Sequence, residues 1–290
     1  MEIYTPIKVN LALHVVGQQS DGYHSLESLV YFSLDGDKIT YAPSNHDVVS
    51  VSGSYAKNLK NNQHNLIVKA RECLTAYFPN YYRPSFLKLE KNLPLSSGLG
   101  GGSGDAAGVM QLLRHAWCLK ASDKIWSELA LSLGADVPMC LSALTTGKSL
   151  IAKGVGEELT LLNEACPLWL VLVNHGEEIP TAEIFKRLKN KNNTPLNLDI
   201  SCLKHVDSLV EALKKTRNDL YEPARSVAPK LEDVLTLLDQ TGSKLSRMSG
   251  SGATCFGIFG DKRAACASAS KIKEKHPTWF VKTIKTLGTI

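Results

Sequence analysis

The 290-residue sequence lacks several features that would place it in a specialised class of protein. No apolar run approaches the ~18 residues that a membrane-spanning helix needs, and the longest, Leu168 to Val173, has six. Gly (21) and Pro (12) are too few for collagen or low-complexity sequence, and an apolar content of 43% is too high for a disordered chain. The composition therefore predicts a soluble globular protein.

Cysteine is also sparse. The seven cysteines are an odd number and no two are spaced as C-x-x-C, which argues against a zinc site and against a secreted disulfide framework. The N-terminal residues show no basic segment followed by an apolar stretch, so no export signal is indicated. We therefore expect a cytoplasmic protein whose cysteines are small core residues.

Positively and negatively charged residues are nearly balanced in number. The 33 Lys and Arg exceed the 28 Asp and Glu by five, and the lysines are scattered except in the stretch Lys271, Lys273, Lys275. A nucleic-acid surface is poorly supported by this pattern, and an acidic small ligand fits it as well. We expect a small-molecule substrate with no nucleic-acid or membrane partner, bound by a monomer or homodimer.

Hydrophobic patterning predicts an α+β protein. Short strands dominate the first quarter, and helices and strands are mixed later. In residues 8–15 the apolar side chains alternate, so Lys8, Asn10 and His14 are expected on the exposed face of a half-buried strand. A chain of this length sits near the size at which one core splits into two. We predict domains at 1–160 and 161–290.

The most informative segment is a glycine cluster. Residues 98–104 contain five Gly, followed by a predicted helix from about Asp105 to Leu119. Missing side chains let backbone amides approach a ligand closely, and a helix N-terminus attracts anions. A flexible surface linker is the alternative, but linkers seldom lie directly between a strand and an amphipathic helix.

Two familiar phosphate motifs fit this chain poorly. Gly147-Lys148-Ser149 has Ser142 where a Walker A motif requires its first Gly. Gly102-x-Gly104-x-x-Ala107 matches a dinucleotide fingerprint loosely, but antiparallel-looking strands precede it, whereas a Rossmann site lies in the first βα turn.

Six further motifs and the glycine segment together resemble the GHMP small-molecule kinases, and they span nearly the whole chain. The six motifs are Pro6-Ile7-Lys8-Val9-Asn10-Leu11, Asp21-Gly22-Tyr23-His24, Gly134-Ala135-Asp136-Val137-Pro138, Gly154-Val155-Gly156-Glu157, Asn218-Asp219-Leu220 and Met248-Ser249-Gly250-Ser251-Gly252-Ala253. The resemblance implies a two-lobed fold with a ribosomal S5 domain 2-like N-terminal lobe, a ferredoxin-like α+β C-terminal lobe and an active cleft between them.

The resemblance also implies an activity. ATP and Mg²⁺ would serve to phosphorylate an alcohol. Within the family the pattern is most similar to the member that acts on the 2-hydroxyl of a cytidine diphosphate-linked methylerythritol, giving the 2-phosphate and ADP in the non-mevalonate route to isoprenoid precursors. The late Gly/Ser motif, which by its residues alone is a tight turn, would pack against the ATP loop.

Site residues follow from the same resemblance, motif by motif. Lys8 and Asp136 are implied as catalytic, although by residue type alone Lys8 is a routine surface lysine and Asp136 a cap or buried partner. Tyr23 would stack on the cytosine, His24 would hydrogen-bond its edge, and Phe185 would form the second wall. The other substrate contacts implied are Asn10 and Thr181. The ATP-binding residues implied are Leu66, Leu95, Ser96, Ser97, Gly98, Leu99, Gly100, Gly101, Gly102, Ser103, Gly104 and Asp105.

At one position the sequence departs from the family pattern. Where the family usually has Ser-Ser-Asn-Ala-Ala, this chain has Ser103-Gly104-Asp105-Ala106-Ala107. The Asp105 carboxylate would either join the Mg²⁺ ligands or cap the helix, and we favour capping. Ser103 and Asp105 both remain candidate metal ligands.

Three other functions stay open on the sequence alone. A GHMP kinase for a sugar, homoserine or mevalonate-type alcohol would lack the cytidine pocket. A catalytically inactive nucleotide-binding module is disfavoured because Lys8, Asp136 and the glycine segment occur together. A dinucleotide oxidoreductase is the weakest of the three.

Overall fold

A computed structural model describes residues 1–20, 22–59 and 65–289, and Asp21 of the predicted turn before Tyr23 lies outside these ranges. The strands are β1 Glu2–Tyr4, β2 Ile7–Gln18, β3 His24–Ser33, β4 Lys38–Pro43, β5 Val48–Ser52, β6 Ser85–Glu90, β7 Leu150–Gly154, β8 Glu158–Leu161, β9 Trp169–Asn174, β10 Leu245–Met248, β11 Cys255–Phe259 and β12 Phe280–Lys285. The helices are α1 Leu66–Tyr77, α2 Gly101–Ala116, α3 Asp123–Leu133, α4 Val137–Thr146, α5 Thr181–Arg187, α6 Val206–Lys214, α7 Tyr221–Val227, α8 Lys230–Gln240 and α9 Lys262–Lys275.

One compact unit comprises Met1–Ile7, Leu34–Leu95 and Gly100–Gly147. Its sheet has the order β1-β4-β6-β5, with β5 parallel to β6 and the other pairs antiparallel. Strand β6 alternates buried and half-buried residues, and helix α2 packs so closely on the sheet that a Cβ on Gly108 would lie 3.0 Å from Ile39 Cδ1. Small side chains on α2 therefore allow tight helix–sheet packing.

The other unit comprises Lys8–Ser33, Ser96–Leu99 and Lys148–Ile290. It contains one sheet ordered β2-β3-β7-β8 and a second, antiparallel sheet ordered β10-β11-β9-β12. The core of the second sheet is formed by apolar residues of β9 and β11 packed with buried residues of helices α5, α7, α8 and α9. The predicted α+β class is confirmed, and the division near residue 160 stays a prediction.

Strand β2 differs from its prediction. The strand is buried on both faces rather than half-buried, with Lys8 6%, Asn10 4% and His14 3% exposed. The second face is covered within its own unit, because Asn10 N–H donates to Ser249 Oγ and His14 Nδ1 lies 3.0 Å from the carbonyl oxygen of Thr194. Enclosing a lysine and an amide is costly unless they are paired or used. His14 is satisfied within the fold, because its Nε2 also accepts from Arg217 N–H at 3.2 Å, whereas Lys8 and Asn10 are the residues that the family resemblance assigns to function.

Two helices begin where the sequence did not predict them. Helix α2 starts at Gly101, four residues before the predicted Asp105, because the glycines themselves form its first turn. Helix α4 was not predicted, since its residues are apolar on nearly every side and show no amphipathic period. Its signals are Pro138 in the first turn and Gly147 in the left-handed conformation after the last.

The cysteines are unpaired, and only some of them occupy the core. Cys140, Cys166 and Cys255 are buried, whereas Cys118 and Cys266 are exposed, so the prediction that all seven are core residues is wrong. Within the described ranges, no helix combines the length and the apolar character that crossing a bilayer would require.

Candidate active site

The first half of the glycine segment, residues 96–99, belongs to the unit that carries β2. Gly98 has a φ of +75°, and a Cβ there would collide with the carbonyl oxygen of Ser249. Ser249 Oγ donates to the Gly98 carbonyl at 3.0 Å, and Thr254 N–H donates to the Ser97 carbonyl at 3.1 Å. These two hydrogen bonds hold the predicted tight turn at 248–253 against the start of the glycine segment.

The second half of the segment forms the start of α2 in the other unit. Gly100 stands at the N-cap with a φ of +67°, and a Cβ on Gly104 would lie 2.7 Å from the carbonyl oxygen of Pro6. A Cβ on Gly102 would lie 3.2 Å from Leu66 Cδ1. The first amides of a helix have no intrahelical acceptor, and its N-terminal end is electropositive. Bare backbone at this position fits the phosphates of a nucleotide.

A buried charge cluster lies behind the first turns of α2. Lys91 Nζ donates to Asp37 Oδ2 at 2.5 Å and to Asp105 Oδ2 at 2.6 Å, and the three residues, here called the Lys91 cluster, are 0–2% exposed. Asp37 also accepts from the backbone N–H groups of Asn92 and Leu93. The expectation that Asp105 caps α2 is wrong, because Gly100 is the N-cap and Asp105 lies inside the helix, bound to Lys91.

The cluster has two carboxyl groups for one ammonium. Burial raises the pKa of Asp105 to about 8, and the attraction of Lys91 only partly opposes this effect. Burial lowers the pKa of Lys91, but the two carboxyl groups outweigh it, so the pKa is raised. Asp105 therefore holds a proton at neutral pH and acts as a neutral hydrogen-bonding group, as the Asn of the family pattern would.

This protonation predicts a pH-dependent stability. The folded chain keeps the Asp105 proton up to about pH 8, whereas an unfolded chain releases it near 3.8. The free energy of unfolding therefore falls with rising pH between these values, by at most about 1.4 kcal/mol per pH unit from this group. We expect the melting temperature of Asp105→Asn, relative to the unchanged protein, to rise steadily from pH 5 to pH 8 in scanning calorimetry. A difference that is flat across this range would contradict a buried, protonated Asp105.

Strand β2 places Lys8 and Asn10 in the unit that also holds residues 96–99. Lys8 N–H donates to the Leu99 carbonyl at 2.9 Å, which joins the strand to the glycine segment. Asn10 Nδ2 donates to Ser28 Oγ at 2.7 Å. Among the described residues, Oδ1 of Asn10 is buried and lacks a hydrogen-bond partner. A buried acceptor of this kind suits a hydroxyl group of a ligand.

Four predicted substrate contacts lie in the same unit. The rings of His24 and Phe185 are stacked with centroids 4.9 Å apart and planes at 26°. Thr181 Oγ1 lies 2.8 Å from Ser251 Oγ, and Tyr23 is 63% exposed beside His24. Burial, followed by the charge of Lys191, lowers the pKa of His24, and its Nε2 is buried without a partner in the described part of the chain. A neutral imidazole with an unused nitrogen can read the edge of a base.

Two other positions lie in the unit that holds α2. Asp136 occupies the N-cap position of α4, yet its side chain accepts no capping hydrogen bond from that helix, which the structure describes in full. Asn65 caps α1, with Oδ1 accepting from Ile67 N–H at 3.2 Å. Within the described ranges, Nδ2 of Asn65 is buried without a partner next to Leu66, so a donor is available to a ligand there.

Some residues around the site were not identified from the sequence. Lys91 had a signal, because β6 buries every second residue and position 91 continues that buried series. Asp37 had none, since its partner Lys91 is distant in the chain, whereas Ser249 and Ser251 lie in the Gly/Ser motif that the resemblance places against the ATP loop. Among the residues the structure describes, no group of three or more His, Cys, Asp or Glu side chains is arranged to hold a metal ion.

Comparison with known proteins supports the same assignment. The model of the GHMP kinases N terminal domain matches residues 65–143, and that of the GHMP kinases C terminal matches residues 200–278. The 4-diphosphocytidyl-2-C-methyl-D-erythritol kinase of Bartonella tribocorum is 54% identical over 99% of this chain and 96% of its own length. The protein of that name from Sinorhizobium medicae is 44% identical over 99% and 96%, respectively.

A solved structure agrees. The crystal structure of 4-(cytidine 5'-diphospho)-2C-methyl-D-erythritol kinase superposes with a TM-score of 0.81 at 28% identity, covering 99% of this chain and 100% of that one. These matches extend over nearly the whole chain and confirm the family that the motifs indicated. The chain belongs to the GHMP kinases.

Proposed function

We propose that this protein transfers the γ-phosphoryl group of ATP to the 2-hydroxyl of 4-diphosphocytidyl-2-C-methyl-D-erythritol, giving the 2-phosphate and ADP in the non-mevalonate route to isoprenoid precursors. The observation that carries the proposal is the 54% identity, over 99% of the chain, to a relative of that name. The stacked His24 and Phe185 support it, because together with the exposed ring of the neighbouring Tyr23 they provide aromatic surface on which a base can stack. We also propose a cytoplasmic location, which suits seven unpaired thiols.

The nucleotide contacts are assigned to the glycine segment. Membership of the kinase family implies ATP use, and the amides at the start of α2 provide donors for its phosphates without side chains in the way. Leu66 lies next to Gly102, and within the described ranges Nδ2 of the preceding residue, Asn65, is a buried donor without a partner, so we assign this place to the adenine. Residues 96–99 would continue the cradle in their own unit.

Mg²⁺ is proposed as the metal, and when bound it would neutralise charge on the phosphates. Ser103 is half-buried in the first turn of α2 and is the better of the two candidate ligands. Asp105 is engaged by Lys91 and is 2% exposed, so its carboxyl group is not directed to the nucleotide. The nucleotide itself would then supply most of the oxygen ligands.

Phosphoryl transfer to an alcohol needs orientation and a place for the hydroxyl proton. We assign the proton acceptor to Asp136, whose carboxylate is not used to cap α4. Lys8 is assigned to orient the acceptor oxygen and to stabilise the charge that develops on it. Asn10 would hold the erythritol or diphosphate end through its unpartnered Oδ1.

A coupled assay of ADP release tests the proposal. The purified protein is given ATP and Mg²⁺ with the cytidyl substrate or with homoserine, mevalonate or galactose. We expect turnover with the cytidyl substrate only, and competition by cytidine nucleotides. Turnover of a simple alcohol without that competition would instead identify a different member of the family.

Tyr23 provides a test of the base pocket. Tyr23→Ala removes an exposed ring beside His24, and we expect KM for the cytidyl substrate to rise about tenfold, since stacking on an aromatic ring contributes about 1–3 kcal/mol per base. KM for ATP should change by less than about twofold, because the nucleotide contacts lie elsewhere. Tyr4→Ala, which removes a ring that is 51% exposed, is the matched control. Equal increases in both KM values would contradict the assignment.

A further inference from the structure

Residues 217–219, between α6 and α7, attach by their backbone to the strand that carries Asn10. Leu13 N–H donates to the Arg217 carbonyl at 2.9 Å, and Asp219 N–H donates to the Leu13 carbonyl at 2.9 Å. The result is a short parallel bridge between Leu13 and Asn218. The three side chains of this tripeptide point to different partners, although they are adjacent in the chain.

The amide of Asn218 is fully used. The residue is 7% exposed, and Nδ2 donates to the carbonyl oxygens of Met248 and Gly250, both at 2.8 Å. Oδ1 accepts from Leu220 N–H at 3.0 Å. Because one side chain binds two carbonyls that are two residues apart, Asn218 fixes the shape of the turn between them.

That turn connects the glycine segment to strand β2. Between the two bound carbonyls lies Ser249, whose Oγ donates to the Gly98 carbonyl at 3.0 Å and accepts from Asn10 N–H at 3.1 Å. A shift of the turn would therefore move Gly98 relative to Asn10. Asn218 thus acts on the nucleotide side through Ser249.

Arg217 points to a different segment. Its Nη1 donates to Thr194 Oγ1 at 3.0 Å, and its Nη2 donates to the Thr194 carbonyl at 2.8 Å. Nε pairs with Asp219 Oδ1 at 2.6 Å, and Asp219 Oδ2 accepts from Val15 N–H at 2.7 Å. Asp219 therefore orients the guanidinium through Nε, and the guanidinium binds Thr194 through Nη1 and Nη2.

The segment held by Arg217 lies beside the base pocket. Residues 190–197 are fastened to β2 by Asn193, whose N–H donates to the Val15 carbonyl at 3.0 Å. In the same segment, Lys191 Nζ donates to Gln18 Oε1 at 3.1 Å, and Leu196 N–H donates at 2.7 Å to Oε2 of Glu27 on β3, the strand that begins at His24. Releasing Thr194 would therefore loosen the surroundings of His24.

We propose that Asn218 and Arg217 are positioning residues with separate roles. Asn218 positions the phosphate-binding segment through Ser249. Arg217 positions the base pocket through Thr194. This inference rests on the proposed function, because it takes residues 96–104 as the ATP site and His24 with Phe185 as the cytidine site. Neither residue is assigned a contact with substrate or nucleotide.

Measurements of ligand binding, which need no turnover, test whether the two residues have separate roles. The affinities of a nonhydrolysable ATP analogue and of cytidine 5′-diphosphate are measured by isothermal titration calorimetry for Asn218→Asp and Arg217→Met. Asn218→Asp keeps the shape but loses both donors, and we expect about tenfold weaker binding of the ATP analogue, the loss of a net hydrogen-bond contribution of about 1–1.5 kcal/mol. Arg217→Met should weaken cytidine 5′-diphosphate to a similar degree. Each variant should change the other ligand by less than threefold.

A second variant keeps the test decisive if Asn218→Asp folds poorly. Ser249→Ala removes the hydroxyl through which Asn218 is proposed to act, so it should reproduce the selective loss of the ATP analogue. The double variant should be no weaker than the more severe single variant, because both changes break one path. Arg225→Met, an exposed arginine paired with Glu222, is the control for Arg217→Met, and thermal unfolding confirms that every variant is folded.

The outcomes separate this inference from the proposed function. Equal losses of both ligands in each variant, or additive effects of Asn218→Asp and Ser249→Ala, would overturn it. If the unchanged protein binds the ATP analogue but not cytidine 5′-diphosphate, the proposed substrate is wrong, and the Asn218 and Ser249 variants with the ATP analogue decide the inference.

Discussion

Asp136→Asn is expected to lower kcat by about 10³-fold, within the 10²–10⁴-fold range that a positioned proton acceptor contributes. The amide has the shape of the carboxylate but cannot accept the hydroxyl proton. The fold should be retained, because the amide has the size of the carboxylate and the Asp136 side chain makes no capping hydrogen bond to α4 that the change would remove. The affinity for a nonhydrolysable ATP analogue should change by less than about threefold, since no nucleotide contact is assigned to this side chain.

The measurement is single-turnover ADP release together with calorimetric titration of the nucleotide. Glu128→Gln is the matched control, because it makes the same acid-to-amide change in the same unit on an exposed side chain of α3. Its kcat should equal that of the unchanged protein. An Asp136→Asn variant that keeps most of its kcat would remove Asp136 from the chemistry, and parallel losses of kcat and nucleotide affinity would assign it to binding instead.

Local chemistry explains which parts of the fold could be predicted from the sequence. Ser122 as an N-cap and Gly134 after the last turn predict a helix over 122–133, and the apolar spacing of Leu66, Ala70, Cys73 and Leu74 predicts one over 65–77; both agree to within a residue with α3 and α1. The alternation in residues 86–91 predicts a strand, and the structure has β6 at Ser85–Glu90. The turn at 248–253 was predicted from its glycines and serines. Each signal lies within a few residues of the feature that it specifies.

The errors arise where distant segments decide the environment. Strand β2 alternates like a half-buried strand, but Ser249 and Thr194, about 180 to 240 residues away, cover its polar face. Asp105 has the residue type of a helix cap, but Lys91 draws it into the interior. No local pattern reports such pairings, so sequence alone could suggest that Lys8 and Asn10 matter only through the family resemblance.

Buried charge without compensation is the most costly change available in this chain. Lys91→Met would leave the Asp37 carboxylate without its ammonium partner in a site that is closed to water, because the cluster is 0–2% exposed. Removing one partner of a buried ion pair destabilises a protein by about 3–5 kcal/mol, and we expect a loss of this size in urea unfolding. Lys88→Met is the matched control, because Lys88 lies on β6, which ends one residue before Lys91, its side chain is 40% exposed, and its pair with Glu90 contributes at most about 1 kcal/mol.

A second substitution separates charge from packing in this result. Lys91→Met combined with Asp37→Asn removes the charge that Lys91→Met leaves unpaired, while the amide oxygen can still accept from the N–H groups of Asn92 and Leu93, so the double variant should regain part of the stability that Lys91→Met loses. A packing defect at position 91 would not be repaired by a change at position 37. Equal unfolding midpoints for Lys91→Met and Lys88→Met would show that the ammonium contributes nothing to stability, whereas a double variant less stable than Lys91→Met would show that the unpaired carboxylate does not cause the loss. If the expected order holds, the first turns of α2, which carry Ser103 and the backbone amides assigned to ATP, are held in place from behind by a charge cluster that does not itself touch the nucleotide.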